Sequence, residues 1–373
     1  METRMKTVLV TGSRGFIGKN LMEGLLRTKN IAVKTFDRGE PTGKLENVLQ
    51  EADVIYHLAG VNRPKDEREF AEVNAGLTGE MIAILERHRK MPLVVFASST
   101  QADLNNPYGK SKKKAEEALV AFGRKTGARV RIYRFHGVFG KWSRPDYNTV
   151  VATFCHNIAH GLDITISDRH KELTLVYIDD VVNEFLGLLI KDHDDDIYHT
   201  VGKTYTVTLG ELADKIYELK STRESLIVPD LSEEFTRCLH ATYLSFLDEK
   251  NFSYPLDVKI DARGSLFELI KSKHFGQIFM SKTHKGILRG NHYHNSKVEK
   301  FCVIQGKAVI RFRHFFSKEV ISYPVSDEKI EVVDIPPGYT HSIENLTDGE
   351  MIVLFWANQI FDPAKPDTNF LEV

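Results

Sequence analysis

The segment Thr11-Gly-Ser-Arg-Gly-Phe-Ile-Gly18 restricts what this chain can fold into more than any other stretch. It follows a short β-branched run, Thr7 to Val10, and opens a helical pattern through Ile17, Leu21, Leu25 and Leu26. Glycines at Gly12, Gly15 and Gly18 between a first strand and a first helix allow a tight turn, close approach of a pyrophosphate and close packing of helix on strand. The phosphate then rests on the positive end of the helix. Arg14, Phe16 and Ile17 sit on the same loop and join the candidate cofactor contacts. Further on, Ile31 to Phe36, Val54 to Leu58, Leu93 to Phe96 and Val130 to Tyr133 have strand texture, while Met81 to Glu86 and Lys112 to Phe122 are helical. Strands alternating with helices imply an α/β, Rossmann-like, doubly wound parallel sheet.

The second strand ends in Asp37-Arg38. An acid at that place accepts from the ribose hydroxyls of NAD, whereas an arginine suits the extra phosphate of NADP. With Arg14 nearby, the balance points to NADPH; the other reading is a solvated Asp37 paired to Arg38. Tyr108 and Lys112, in Tyr108-Gly-Lys-Ser-Lys112, stand one helical turn apart and share a face. A nearby ammonium lowers a phenol's pKa, so that the phenol can exchange a proton with a carbonyl near neutral pH. A hydroxyl is needed beside it, and the strand Val94 to Thr100 ends in three: Ser98, Ser99 and Thr100.

These pieces, with HLAG at His57 to Gly60, Asn74 in EVNAG and YIDDVV at Tyr177 to Val182, occur in one order and spacing. On them the first part of the chain resembles the extended short-chain dehydrogenase/reductases over about residues 5–245. The resemblance implies Tyr108 as proton donor and Lys112 as the group that binds the nicotinamide ribose and depresses the Tyr108 pKa. Ser99 best fits the hydroxyl position, with Ser98 and Thr100 as alternatives. It adds Leu58, Ala59, Gly60 and Asn74 to the cofactor contacts. Two departures stand out. The stretch between the second strand and HLAG is short, so the strand that usually lines the adenine pocket is not accounted for. The chain also has Arg134-Phe-His-Gly137 where the family often has an asparagine three residues after the arginine. His136, Lys141, Trp142, Arg144, Asn148 and Arg169 either line a sugar pocket or are ordinary surface.

Beyond about residue 250 short strand-like runs crowd together: Gln277 to Ser281, Lys300 to Ile304, Ala308 to Arg313, Glu319 to Tyr323, Glu331 to Ile335 and Met351 to Trp356. Turn residues separate them and no long helical period intervenes, as in an all-β barrel or jelly roll. A break between Leu244 and Pro255 gives expected domains of 1–247 and 253–373. In the second, His292 and His294 face one side of a strand, because side chains alternate with period two. Glu299 and His341 can meet them from neighbouring strands. Three imidazoles and a carboxylate suit a divalent transition ion. His314 and His160 are taken as structural or solvated.

Residues Gly286 to Gly306 and Pro336 to Asn345 resemble the two motifs of the cupin superfamily, without the glycine that usually opens the second. That implies a barrel with metal ligands His292, His294, Glu299 and His341; zinc, iron, manganese or nickel suits such a set, and zinc is the expected ion. Asp261-Ala-Arg-Gly264 with Glu268, and Gly286 to Tyr293, also resemble the cupin-fold 4-keto-sugar nucleotide epimerases. There, arginines at the positions of Arg263 and Arg289 contact nucleotide diphosphate or sugar. The base is a histidine at the position of His292, which here is a candidate ligand, so the group that removes the carbon-bound proton stays open.

The domain order, with AGVNRP, NPYGKSK, FGKW, TVTLGE and FSYPL, resembles the bifunctional reductase–cupin enzymes of capsular polysaccharide synthesis along essentially the whole chain. The resemblance implies 3-epimerisation of UDP-2-acetamido-2,6-dideoxy-L-arabino-4-hexulose in the cupin and NADPH-dependent 4-reduction in the first domain. The product would be UDP-2-acetamido-2,6-dideoxy-L-talose, a precursor of N-acetyl-L-fucosamine. It also implies a homodimer. A simple reductase with a non-catalytic cupin is the nearest other reading, and a non-catalytic NADPH sensor the next; Tyr108 and Lys112 count against the sensor.

Composition sets outer limits. The 373 residues are enough for two cores. Fifty basic and fifty-one acidic residues leave no net field for nucleic acid or a membrane surface. The three cysteines, Cys155, Cys238 and Cys302, form no CxxC pair, as expected of reduced thiols in the cytoplasm. No secretory h-region or membrane-length apolar run is expected.

Overall fold

The computed structural model describes residues 5–64, 66–190 and 196–373. By contacts they divide into two units, Met1–Ile216 with Cys238–Leu247, and Tyr217–Arg237 with Asp248–Val373. The division differs from the expected single break. Residues 217–237 cluster with the later unit, where Lys271 takes the Leu226 carbonyl and gives its own carbonyl to the Val228 N–H.

In the first unit the strands are β1 (Lys6–Thr11), β2 (Ile31–Phe36), β3 (Val54–His57), β4 (Leu93–Ser99), β5 (Val130–Phe135), β6 (Gly137–Phe139), β7 (Glu172–Tyr177), β8 (Tyr198–His199) and β9 (Tyr205–Thr208). A six-stranded sheet has the order β2-β1-β3-β4-β5-β8, with every pair in it parallel. Strands β6, β7 and β9 make a separate small sheet. The helices are α1 (Phe16–Leu26), α2 (Thr42–Glu51), α3 (Leu77–Arg87), α4 (Pro107–Thr126), α5 (Val150–Ala159), α6 (Ile178–Ile190), α7 (Leu209–Ser225) and α8 (Glu234–Leu244).

Val8 and Val10 of β1 pack on one face with α1 and α6, and Leu9 packs on the other with α2, α3 and α4. Burial on both faces is why the strand reads as an unbroken apolar run. The chain leaves β1 in opposite directions toward β2 and β3, which makes the carboxyl ends of β1 and β3 the topological switch point. Dinucleotide-binding sheets carry a further strand outside β2. Here α2 leads from β2 directly to β3 and β2 is the sheet edge, the structural form of the short stretch before HLAG.

The second unit is antiparallel. Its strands are β10 (Val258–Asp261), β11 (Gly264–Ser272), β12 (Gly276–Thr283), β13 (Leu288–Tyr293), β14 (Glu299–Gln305), β15 (Lys307–His314), β16 (Val320–Ser326), β17 (Val332–Ile335), β18 (Tyr339–Asn345), β19 (Met351–Ala357) and β20 (Asn369–Phe370). They form two sheets, β10-β11-β12-β19-β14-β17 and β16-β15-β18-β13-β20. Phe301, Val303 and Phe355 of the first sheet pack with Ile310, Phe312 and Ile343 of the second. Two facing sheets around one apolar core are the architecture expected of a cupin.

Candidate active site and metal centre

The turn after β1 places Gly12 at φ +74°, and a Cβ there would lie 2.7 Å from the Ala59 nitrogen on the loop after β3. A Cβ on Gly18 would lie 2.1 Å from the Gly12 carbonyl oxygen. Both positions therefore need glycine, one for conformation and one for close approach. A cavity of about 480 Å³ opens at this edge of the sheet. Gly12, Gly15, Phe16, Ile17, Gly18, Leu58 and Gly60 line it, as do Ser99, Tyr108 and Lys112.

The other expected cofactor residues lie behind that lining. Asp37 is buried; its carboxylate accepts from the Ser13 hydroxyl at 2.5 Å and the Arg14 N–H at 3.0 Å, and so ties the glycine loop to β2. Arg38 pairs with Glu69 rather than Asp37, at 3.3 Å. Arg14 keeps an exposed side chain 3.8 Å from Asp37. Asn74 is buried, accepts from the Val61 N–H and donates to the Ser111 hydroxyl, so it braces the loop carrying Ala59 and Gly60 against α4. His57 lies between the Thr11 and Thr78 hydroxyls. Thr78 gives its proton to the Asn74 carbonyl, so His57 donates from Nε2 and accepts at Nδ1. Burial, and then the charge of Lys112, push its pKa down to about 3, so it is neutral and structural.

Helix α4 begins where Asn106 caps the Gly109 N–H at 2.7 Å with Pro107 in the first turn. A Cβ on Gly109 would meet the Gln101 carbonyl oxygen at 2.1 Å, so only glycine lets α4 approach the end of β4 this closely. Tyr108 thereby reaches the terminal hydroxyls. Ser99 stands with Tyr108 on the cavity wall, and its hydroxyl acts to lower the phenol's pKa. Ser98 instead donates to Glu116 at 2.5 Å, and Thr100 to the Phe135 carbonyl. Burial pushes the phenol up to about 12, with Ser99 offsetting part of the rise. The net direction is opposite to the expected lowering by Lys112, whose Nζ is directed at the Ala97 carbonyl, 2.8 Å away. Burial lowers Lys112 itself to about 8.

His136 and Asn148 also line the cavity, whereas Lys141 pairs with Asp179 and Arg169 with Asp214. Lining residues not named as candidates are Asn62 and Arg63, within AGVNRP, and Gln101 and Tyr147. The Arg63 guanidinium donates to the Asp146 carbonyl and the Asn62 N–H to the Tyr147 hydroxyl, joining two loops that are distant in sequence.

In the second unit the ligand atoms of His292, His294, Glu299 and His341 all lie within 4.8 Å of one another. His341 on β18 sits opposite His292 on β13. Between Gly290 and His292 the register shifts, with Asn291 as the extra residue at φ 57°. The bulge makes Arg289 and His292 face Ile343 and His341, two positions apart, so both are aimed to one side despite their odd spacing. Glu299 Oε2 is 3.1 Å from His294 Nε2 and 3.6 Å from His341 Nε2, while Lys297 pairs with the other carboxylate oxygen at 3.1 Å.

His294 donates from Nδ1 to the Asp367 carbonyl, which leaves an Nε2 lone pair facing the carboxylate. His341 Nε2 is buried and has no hydrogen-bond partner. Ligands about 2.1 Å from a tetrahedral ion are spaced about 3.4 Å apart. Acceptor atoms converging within 4.8 Å, with Glu299 at 3.1 and 3.6 Å from two of the histidines and one atom orphaned, fit a divalent cation. Burial and the neighbouring histidines push His292 down to about 4, which keeps it in the neutral, ligating form. Burial alone would raise Glu299, but the adjoining His294 and His341 rings and the Lys297 charge hold it below the usual carboxylate range.

Arg263 is held by Asp261 through two guanidinium contacts, and Arg289 donates to Thr283 at 2.9 Å. Burial, and then the charge of Arg263, lower Arg289, so the two cations are close enough to repel and an anion between them would be favoured.

Residues 8–201 match the NAD dependent epimerase/dehydratase family and residues 259–369 the polysaccharide biosynthesis C-terminal domain. The chain belongs to the NAD dependent epimerase/dehydratase family. It is 42% identical to the UDP-2-acetamido-2,6-beta-L-arabino-hexul-4-ose reductase of Pseudomonas aeruginosa, covering 97% of each chain. It superposes on the capsular polysaccharide assembling protein CapF from Staphylococcus aureus with a TM-score of 0.92 and 44% identity, over 98% of this chain and 100% of that one. A UDP-glucuronic acid 4-epimerase from Bacillus cereus matches with a TM-score of 0.55 at 19% identity, over 64% of this chain and 96% of that one; it shares the fold of the first unit.

Proposed function

We propose that this chain reduces the 4-keto group of a UDP-linked 2-acetamido-2,6-dideoxy-hexulose with NADPH, after epimerising carbon 3 in the metal-binding barrel. The product is UDP-2-acetamido-2,6-dideoxy-L-talose. The observation that carries the reading is the Ser99–Tyr108 pair beside buried Lys112 on a glycine-lined cavity, in a chain 42% identical along its length to a 4-hexulose reductase.

In the first unit the dinucleotide supplies a hydride when bound. Tyr108, with its pKa near 12, is a phenol at neutral pH and holds the proton that the keto oxygen must receive. Ser99 orients that phenol and gives the keto oxygen a second donor. Lys112 brings a positive charge into a buried position on the cavity wall, where it favours the transient phenolate. Exposed Arg14 is the cation placed to meet a 2′-phosphate, because Asp37 is already committed to the loop. This favours NADPH over NADH.

In the second unit His292, His294, Glu299 and His341 would hold a divalent transition ion; zinc is the expected one, and the same donor set also suits iron, manganese or nickel. When bound, the ion polarises the 4-keto group and acidifies the hydrogen on the neighbouring carbon. Arg263 and Arg289 receive the diphosphate. The name of the Pseudomonas relative mentions reduction alone. That favours a second reading in which the barrel only binds, and the chain is a plain reductase. We further take the protein to be a cytoplasmic homodimer of two domains.

Substitution of Tyr108 by Phe removes one hydroxyl and leaves the ring. Oxidation of NADPH by the UDP-4-keto sugar is expected to fall about 10²–10⁴-fold. The thermal midpoint is expected to stay within a few degrees. Full activity in Y108F would remove Tyr108 from the mechanism.

A further inference from the structure

We infer that the C-terminal segment is the brace of the metal centre, with Asp367 as the positioning residue that orients His294. The inference rests on the proposed reading of the His/Glu cluster as a metal site.

Four contacts converge on the Asp367 carboxylate. Oδ1 accepts from the Asn295 N–H at 2.9 Å, and Oδ2 accepts from the Ser296 N–H at 2.7 Å, the Ser296 hydroxyl at 3.0 Å and the Lys297 N–H at 2.9 Å. Those residues are the turn that joins ligand His294 to ligand Glu299. The carbonyl of the same residue takes the Nδ1 proton of His294. A single residue thus fixes both the turn and the tautomer, so that the other ring nitrogen offers its lone pair to the cluster.

The residues after Asp367 continue the brace. Phe370 pairs with His292 as β20 adds to β13. The Leu371 N–H donates to the Asn291 carbonyl, and the Thr340 hydroxyl, next to ligand His341, donates to the Leu371 carbonyl. All three histidine ligands, or their immediate neighbours, are therefore bound to a segment about 70 residues away from the first ligand motif. Backbone bonds of this kind need no particular side chain at most positions. The acceptor at Asp367 is the exception, because three N–H groups and a hydroxyl all point at it.

The test uses the full-length protein with Asp367→Asn. Asn keeps the volume but turns one oxygen into a donor that faces donors. Zinc affinity is measured by competition with a chromophoric chelator, and ligand geometry by the visible spectrum after loading with Co²⁺. A 10- to 100-fold loss of zinc affinity is expected, the range for removing a partner that orients a ligand, together with an altered Co²⁺ spectrum. The metal-free variant is expected to match the metal-free parent in circular dichroism. Equal zinc affinity and an unchanged Co²⁺ spectrum in D367N would overturn the inference while leaving the metal site intact. If the parent protein binds no ion, the metal reading falls and this inference falls with it. Should D367N fail to fold, Ser296→Ala removes only the hydroxyl donor. It is expected to shift affinity the same way by less, and unchanged affinity there would also contradict the brace.

Discussion

Lys112 is buried, donates to the Ala97 carbonyl and lies 4.9 Å from the centre of the Phe96 ring. Burial lowers its pKa to about 8, and Glu116, one turn further along α4, raises it against that trend. Lysine is charged below its pKa, so the ammonium is present through neutral pH and is lost as pH rises past about 8. The kcat/KM for reduction is expected to fall on the alkaline side with an apparent pKa near 8. Replacing Glu116 by Gln removes the charge that holds the proton on, and the alkaline limb is expected to move to lower pH. A limb that stays in place in E116Q would show that Glu116 acts only through its bonds to Ser98 and Arg134. The Tyr–Lys spacing and the strand ending in three hydroxyls were legible in the sequence. Ser99 was the best-fitting hydroxyl by resemblance, but the residues alone left Ser98 and Thr100 open, because Glu116, which draws Ser98 away, carries no motif. Nor could the commitment of Asp37 and Asn74 to bracing loops be seen before their partners Ser13, Val61 and Ser111 were in place.

Among the elements, α4 shows how one backbone contact sets a site. Gly109 sits against the Gln101 carbonyl oxygen with no room for a methyl group. Gly109→Ala must push α4 off the end of β4, and overpacking of this kind costs about 1–3 kcal/mol. Urea unfolding of the first unit is expected to report that loss, and NADPH oxidation to drop as Tyr108 separates from Ser99. An unchanged midpoint with full activity would mean that the helix shifts freely. Elements with strong periodicity were legible: β2 spans Ile31–Phe36, as its apolar run implied. β10 was not, because its alternation of Val258, Lys259, Ile260 and Asp261 lasts only four residues and all four are exposed. β18 was hidden for the opposite reason: it is buried on both faces, yet Thr340, His341 and Ser342 are polar residues that hydropathy assigns to loops. The bulge at Asn291, which aims Arg289 and His292 together, has no periodic signature at all.

Across the whole molecule, the two textures of the sequence correspond to a parallel α/β sheet and an antiparallel double sheet. The return of residues 217–237 to the second unit had no signal, because the backbone bonds of Leu226 and Val228 to Lys271 depend on no side chain. None of the three cysteines is disulfide-bonded, and no helix among the described residues is long and apolar enough to cross a membrane. The central claim is that one chain carries two chemistries, proton exchange at carbon 3 and hydride delivery at carbon 4. The measurement that tests it most directly is to turn over the UDP-4-keto-6-deoxy sugar with NADPH in heavy water, return the product to ordinary water, and weigh it. The expected product carries one deuterium on carbon, and that deuterium disappears from the product of chelator-treated enzyme while reduction continues. Reduced sugar without carbon-bound deuterium from the metal-loaded enzyme would contradict the two-step claim and leave a reductase alone.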